Sequence, residues 1–278
     1  MEKIKPPAVA GSFYPDDVDE LVRVLDGCFI SHPLGPLGAK SPLPALIAGM
    51  VTHAGYIYSG PCAAHFYSCL DANIRRVVLL GVNHRSRGSR AALSPWDTWR
   101  SPLGDIQVDR ELTEMLASKV PWITYDSAAH ENEHSIEVQL PFLQRTAEAF
   151  TFVPISLSHL SSEECVELGG AIFNVLQATP GKSLIIASSD LSHYLPPPQT
   201  EKLDHLALDQ VLNLNPTKLI NVVTQNSITM CGVIPAAVML YTANAFGAKQ
   251  PRLLKHCHSG DVTPMREVVG YASIAIEG

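Results

Sequence analysis

An α/β fold with a mixed, largely parallel central sheet and helices on both faces is the class this sequence predicts, as a single domain over residues 1–278. Three observations point there. Four apolar, β-branched runs each stop at a histidine: Ala45-Leu-Ile-Ala-Gly-Met-Val-Thr-His53, Arg76-Val-Val-Leu-Leu-Gly-Val-Asn-His84, Thr151-Phe-Val-Pro-Ile-Ser-Leu-Ser-His159 and Ser183-Leu-Ile-Ile-Ala-Ser-Ser-Asp-Leu-Ser-His193. Continuous apolar runs of this length read as strands buried on both faces, the signature of parallel sheets. Helical stretches alternate with them, the pattern of an α/β sandwich. Apolar residues make up 46% of the chain and charged residues 17%, enough to bury a sizeable core.

Taken in order, Pro7 to Pro15 is too rich in proline and glycine for a regular element, and Asp16 or Asp17 caps a helix reaching about Cys28. Ser31 to Pro44 reads as a loop. After the strand ending near Thr52, Pro61 suits the first position of a helix to Leu70. A strand follows over about Val77 to Gly81, then a short strand near Asp105 to Val108 and a helix over about Glu111 to Ser118. A helix begins near His134 and either kinks or restarts at Pro141. The third strand is Phe152 to Leu157; Ser161-Ser-Glu-Glu opens the next helix, which ends before Pro180, and the fourth strand is Leu184 to Ala187. Helices are expected at about Glu201 to Leu212, Pro216 to Gln225 and Pro235 to Ala245, before a run at Arg252 to His256 and a closing strand from Val268 to Ile276.

Composition excludes several classes. A net charge of -7 with scattered Lys and Arg argues against a nucleic-acid surface. The N-terminus leads into no apolar signal region, and no run approaches the ~20 residues of a membrane span, so no membrane association and a cytoplasmic protein are expected. Six widely spaced cysteines without a CxxC pair indicate neither a disulfide framework nor a zinc ribbon.

Ligand crevices of open α/β sheets lie beyond the carboxyl ends of the strands, where His53 and His84 would sit. Neutral imidazole is the commonest metal ligand, although a single histidine there serves as simply to cap a strand; several strands ending alike favour the ligand. Asp190 and His193, three apart, could orient a ligand or move a proton, or act as a helix cap and a surface residue. Cys231 precedes a helix and could be a soft ligand or a small buried apolar residue. His159 ranks lower, before an ordinary capping sequence, and Ser259-Gly-Asp261 could add a polar group or form a plain turn.

His130-Glu-Asn-Glu-His134 matches zinc-protease patterns, which need both histidines on one helix face. Placing the helix start near His134 leaves His130 in a loop and makes a zinc metallopeptidase through His130, Glu131 and His134 the lesser alternative. His134 then points toward the crevice as a candidate catalytic or substrate-binding residue.

The motifs Ala8-Val-Ala-Gly-Ser-Phe-Tyr-Pro15, His53-Ala-Gly-Tyr-Ile-Tyr-Ser-Gly60, Leu80-Gly-Val-Asn-His84, Glu133-His-Ser-Ile-Glu-Val-Gln-Leu-Pro141, Ser188-Ser-Asp-Leu-Ser-His193, Cys231-Gly232 and Ser259-Gly-Asp-Val262 run through nearly the whole chain. In this order they resemble the Memo (mediator of cell motility) family, including the prokaryotic members called AmmeMemoRadiSam system protein B. The resemblance implies a fold like the class III extradiol dioxygenases, whose non-haem iron is held by two histidines and a glutamate. It matches His53 and His84 to the first two metal ligands, Cys231 to the third, and Asp190 and His193 to the neighbouring acid/base motif; His134 belongs to a family motif and His130 does not. Arg85 stands where relatives more often have a second histidine. Two imidazoles and a thiolate favour copper or a redox iron, with zinc as a substitute, over the hard two-His-one-carboxylate face. The implied function is a metal-dependent oxidoreductase. The alternative is an adaptor that holds a small molecule or peptide in a crevice lined by Trp96, Trp99 and Tyr56. The family name implies association with AMMECR-type and radical SAM proteins.

Overall fold

The computed structural model describes residues 2–71 and 73–278. The first half of the chain runs β1 (Ile4–Lys5), α1 (Val18–Ile30), β2 (Leu46–Val51), α2 (Tyr56–Tyr67), β3 (Ile74–Val82), β4 (Ala91–Leu93), β5 (Thr98–Ser101), β6 (Gly104–Gln107), α3 (Arg110–Lys119), β7 (Thr124–Tyr125) and α4 (Leu140–Thr146). The second half runs β8 (Thr151–Leu157), α5 (Ser162–Ala178), β9 (Lys182–Ser188), β10 (His193–Leu195), α6 (Pro197–Leu212), α7 (Pro216–Gln225), α8 (Val233–Ala245), β11 (Gln250–His258) and β12 (Val268–Glu277).

The main sheet has the order β10-β12-β2-β9-β3-β8-β4-β7, with β11 on the free side of β12. Its centre, β2-β9-β3-β8, is parallel throughout, and antiparallel β12 and β4 flank it. This is the mixed, largely parallel sheet the sequence predicts. Side chains alternate across it: Val77, Leu79, Leu184 and Ile186 face a core shared with α1, α2 and α4, while Val78, Leu80, Ile185 and Ala187 face one shared with α3, α5, α6, α7 and α8. Both faces are thus buried, which is why the central strands read as unbroken apolar runs.

Local chemistry fixes most of the helix ends. Asp17 Oδ1 accepts the Glu20 N–H, and Ser161 with Glu164 forms a capping box ahead of α5. Pro197 and Pro216 occupy the first turns of α6 and α7, where a missing N–H costs nothing. Pro141 likewise falls in the first turn of α4, so the helix restarts there after a single 3-10 turn at Glu137–Gln139.

One expectation is corrected. Helix α2 starts at Tyr56, which places Pro61 inside it rather than at its first position. Tertiary contacts hold the turn ahead of the proline: the Tyr56 N–H donates to Phe13 O at 2.8 Å and its hydroxyl to Val138 O at 2.5 Å. The short strand expected near Asp105 is present as β6, and it joins β1 and β5 in a second three-stranded sheet that the sequence did not indicate. Gly49 sits mid-strand because a Cβ there would stand 2.0 Å from Phe66 Cε2, so α2 lies directly on β2. Among the described residues, no helix is long and apolar enough to cross a membrane.

Candidate metal centre

Parallel register brings the carboxyl ends of the central strands to one edge, since Val51 pairs with Ser188, Leu80 with Ala187 and Val82 with Leu157. Just beyond that edge lie His53 after β2, His84 after β3 and Asp190 after β9. His134 reaches the same place from the turn before Glu137–Gln139. One ligand atom from each of His53, His84 and His134 lies within 4.8 Å of the other two. The His84 and His134 rings stack at 4.6 Å between centroids, and His53 presents its edge to both at 5.1 and 5.2 Å.

Cys231, immediately before α8, places its Sγ 3.1 Å from His53 Nε2. Of the ligands expected from distant segments, His53 thus has the His84 ring on one side and the Cys231 sulfur on another. The difference is that His134 completes the mutual cluster and Cys231 stands at its edge, against His53. Gly232 lets the cysteine loop approach: a Cβ there would lie 2.4 Å from Ser189 Cβ and 2.6 Å from Ser188 O.

Each member is held by buried partners. The His53 N–H donates to Asp190 Oδ1 at 2.7 Å, Thr52 donates its hydroxyl to the same oxygen, and His53 Nδ1 lies 2.9 Å from Ser188 Oγ. Glu133 Oε1 is 2.9 Å from His84 Nδ1, and the carboxylate also accepts the backbone N–H groups of His84, His134 and Ser135. Asp190 donates its backbone N–H to Cys231 Sγ at 3.2 Å. His193 starts β10, half-buried, and gives Nδ1–H to Thr229 O at 2.9 Å.

The electrostatics follow from burial. His53 is 2% exposed, and burial, reinforced by His134 and His84, holds its pKa well below 6.5. Burial lowers His134 too, against the pull of Glu133. Burial would raise Glu133, yet the His84 hydrogen bond and the nearby imidazoles bring it down to about 2. Asp190 is raised by burial despite its bonds from Thr52 and His53, and Cys231 is raised by burial and by Asp190. Without metal the pocket therefore contains a neutral His53 and a protonated thiol, groups that become donors when a cation replaces the thiol proton. The donor set fits a soft or borderline transition metal.

Other expectations resolve differently. The pentad 130–134 lies in turns, with the first helical turn at Glu137, so His130 and His134 do not share a helix face and the zinc-peptidase geometry is absent. His130 is fully buried with Nε2 on Ala92 O, and Glu131 is exposed. The aromatic crevice is corrected in part: Trp99 on β5 is a core residue at 1% exposure and half-buried Trp96 packs against that core, whereas Tyr56, 3% exposed, borders a cleft with Phe13 and Tyr58. His159 is exposed after β8, outside the three-histidine cluster. Ser259 accepts the Val269 N–H, and Asp261 accepts that of His258, so Ser259-Gly-Asp261 acts as a turn.

Sequence reasoning gave no role to Glu133, Ser188, Gln139 or Glu137. Buried Glu137 accepts from Lys5 Nζ, the Ala8 and Val9 N–H groups and the Tyr14 hydroxyl, which straps the N-terminal motif across the site and sets Phe13 4.5 Å from His134. All four residues stood inside the motifs, but only long-range contacts reveal what they hold. A cleft of about 870 Å³ opens beside Phe13, Tyr58 and Gly55.

A mixed α/β sheet with clustered imidazoles beyond its parallel strand ends defines a candidate metalloprotein. The chain belongs to the Memo family: the family profile described as Memo-like protein matches residues 5–275. A MEMO1 family protein of Methanopyrus kandleri is 41% identical over 275 residues, covering 96% of this chain and 97% of that protein. A MEMO1 family protein of Methanocaldococcus jannaschii is 38% identical over 289 residues, with both chains covered in full. A solved structure, an uncharacterized protein of Escherichia coli K12, superposes with a TM-score of 0.53 at 15% identity, covering 84% of this chain and all of that one; this is a likeness of fold alone.

Proposed function

We propose that this site holds iron or copper, with zinc able to substitute, and that the protein is a non-haem metal-dependent oxidoreductase of the cytoplasm. The convergence of three imidazoles within 4.8 Å, with the Cys231 sulfur 3.1 Å from His53 Nε2, carries the reading. His53, His84 and Cys231 are the ligands the resemblance implies, and His134 supplies a further nitrogen. Nitrogen donors alone suit zinc, copper and iron alike; adjacent sulfur shifts the preference toward copper(I) or a redox iron. When bound, such an ion supplies one-electron chemistry.

The chain's own residues do the rest. Asp190 fixes Thr52 and the His53 backbone, and Glu133 fixes His84. With Nδ1–H committed to Thr229 O, His193 keeps a lone pair on Nε2 that can accept a proton and return it. The cleft beside Phe13, whose ring stands 4.5 Å from that of His134, is the place proposed for a small molecule or peptide. Association with AMMECR-type and radical SAM proteins belongs to the same proposal. Metal analysis of protein purified without oxygen tests it: iron or copper near one equivalent is expected, falling in His53→Ala and Cys231→Ala. Absence of both metals, or binding unchanged in Cys231→Ala, overturns it.

A further inference from the structure

We infer that Glu133, with Ser188 and Gln139, fixes the tautomers of His84 and His53 before any metal arrives, so that both rings keep a proton on Nδ1 and an open lone pair on Nε2. The consequence for metal binding rests on the function proposed above; the tautomers do not. In a ligating histidine the hydrogen bond made by one ring nitrogen decides which is left free.

At His53 the assignment follows from counting hydrogens. The Ser188 hydroxyl has one proton, and the Ser135 carbonyl 2.6 Å away can only accept it. The Gln139 amide is oriented unambiguously: its Nε2 faces the Thr52 carbonyl at 2.9 Å, and its Oε1 accepts the Tyr67 hydroxyl at 2.7 Å. The second Gln139 N–H therefore goes to Ser188 Oγ at 2.8 Å. Ser188 has only acceptor capacity left for His53 Nδ1 at 2.9 Å, so Nδ1 carries the hydrogen. The bare Nε2 is the atom facing Cys231.

At His84 a carboxylate does the same work. An ionised carboxylate only accepts, so Glu133 Oε1 at 2.9 Å requires Nδ1–H, while Oε2 takes the His84 backbone N–H at 2.9 Å. Oε1 also accepts the His134 and Ser135 N–H groups, each at 2.9 Å, tying the His84 ring and backbone to the segment that carries His134. Ser135 closes the link by exchanging hydrogen bonds with Val82 N–H and O. Glu133 is thus a positioning residue: it touches two of the imidazole segments and aims one ring.

Long-range nitrogen–proton NMR of the ¹⁵N-labelled, metal-free protein reads the tautomers directly. Both rings are expected as Nδ1–H. In Ser188→Ala only His53 should lose this preference, and in Glu133→Ala, which removes the acceptor, only His84, whereas general loosening would move both rings in either variant. Each variant should bind zinc, followed by competition with a chromophoric chelator, about 10–100-fold more weakly. Either ring found as Nε2–H in the wild-type protein, a reading that needs no variant, or His84 unchanged in folded Glu133→Ala, overturns the inference. Correct tautomers with no zinc binding would uphold it and remove the metal reading instead.

Discussion

His130 occupies a place where a zinc-protease pattern would need a ligand, and its surroundings forecast a different phenotype for its replacement. Nε2–H donates to Ala92 O at 3.1 Å, Nδ1 has no partner among the described residues, and the Trp99 and Trp96 rings stand edge-on at 5.6 and 6.4 Å. Burial pushes its pKa from 6.5 down to about 4, partly opposed by the bond to Ala92. Such a residue stays neutral in the folded chain but takes up a proton once unfolded. Its contribution is therefore intact above pH 6.5 and lost as pH falls through about 4. The full shift corresponds to about 3 kcal/mol, of which about 2 kcal/mol falls between pH 7 and pH 5. In His130→Phe that share of the acid sensitivity should vanish. At neutral pH the variant should be less stable by about 1–3 kcal/mol, because the Ala92 carbonyl loses its donor. Urea unfolding followed by circular dichroism at the two pH values measures both effects. His53 and His134 are also lowered by burial, so only the difference between the two proteins reports on His130. Zinc affinity should not change. Equal acid dependence in the two proteins, or loss of metal on replacing His130, would refute its assignment to the core.

Further outcomes are expected elsewhere. Glu137→Gln leaves buried Lys5 without its counter-charge and should cost about 3–5 kcal/mol in urea unfolding, with faster proteolysis of the N-terminal segment. Gly232→Ala forces the Cys231 loop away from Ser188 and Ser189, and should weaken zinc binding while lowering stability by about 1–3 kcal/mol. Ser161→Ala removes a capping box far from the site and should cost about 1 kcal/mol with zinc affinity unchanged.

The parallel centre was legible because β3 and β9 bury both faces, leaving apolar runs that no exposed element could carry. Caps and first-turn prolines set the helix limits as local chemistry, which sequence displays directly. What escaped depends on partners far away in the chain. Helix α2 begins ahead of Pro61 because Phe13 and Val138 hold Tyr56, and β1 reaches β5 across more than 90 residues. At the site, His53 and His84 announce themselves by following strands. His134 and Cys231 come from connecting segments, and nothing in their spacing ranks one above the other as a ligand. Glu133 reads as an ordinary acidic residue until His84 is seen against it.

The central claim is that two imidazoles and one sulfur from remote segments meet on a single ion. X-ray absorption spectroscopy of protein loaded anaerobically with copper or iron tests it most directly. Imidazole nitrogens together with one sulfur bound to the metal, the sulfur lost in Cys231→Ala and a nitrogen lost in His53→Ala, is the result expected. A coordination shell of nitrogen and oxygen alone, unaltered by Cys231→Ala, would contradict it.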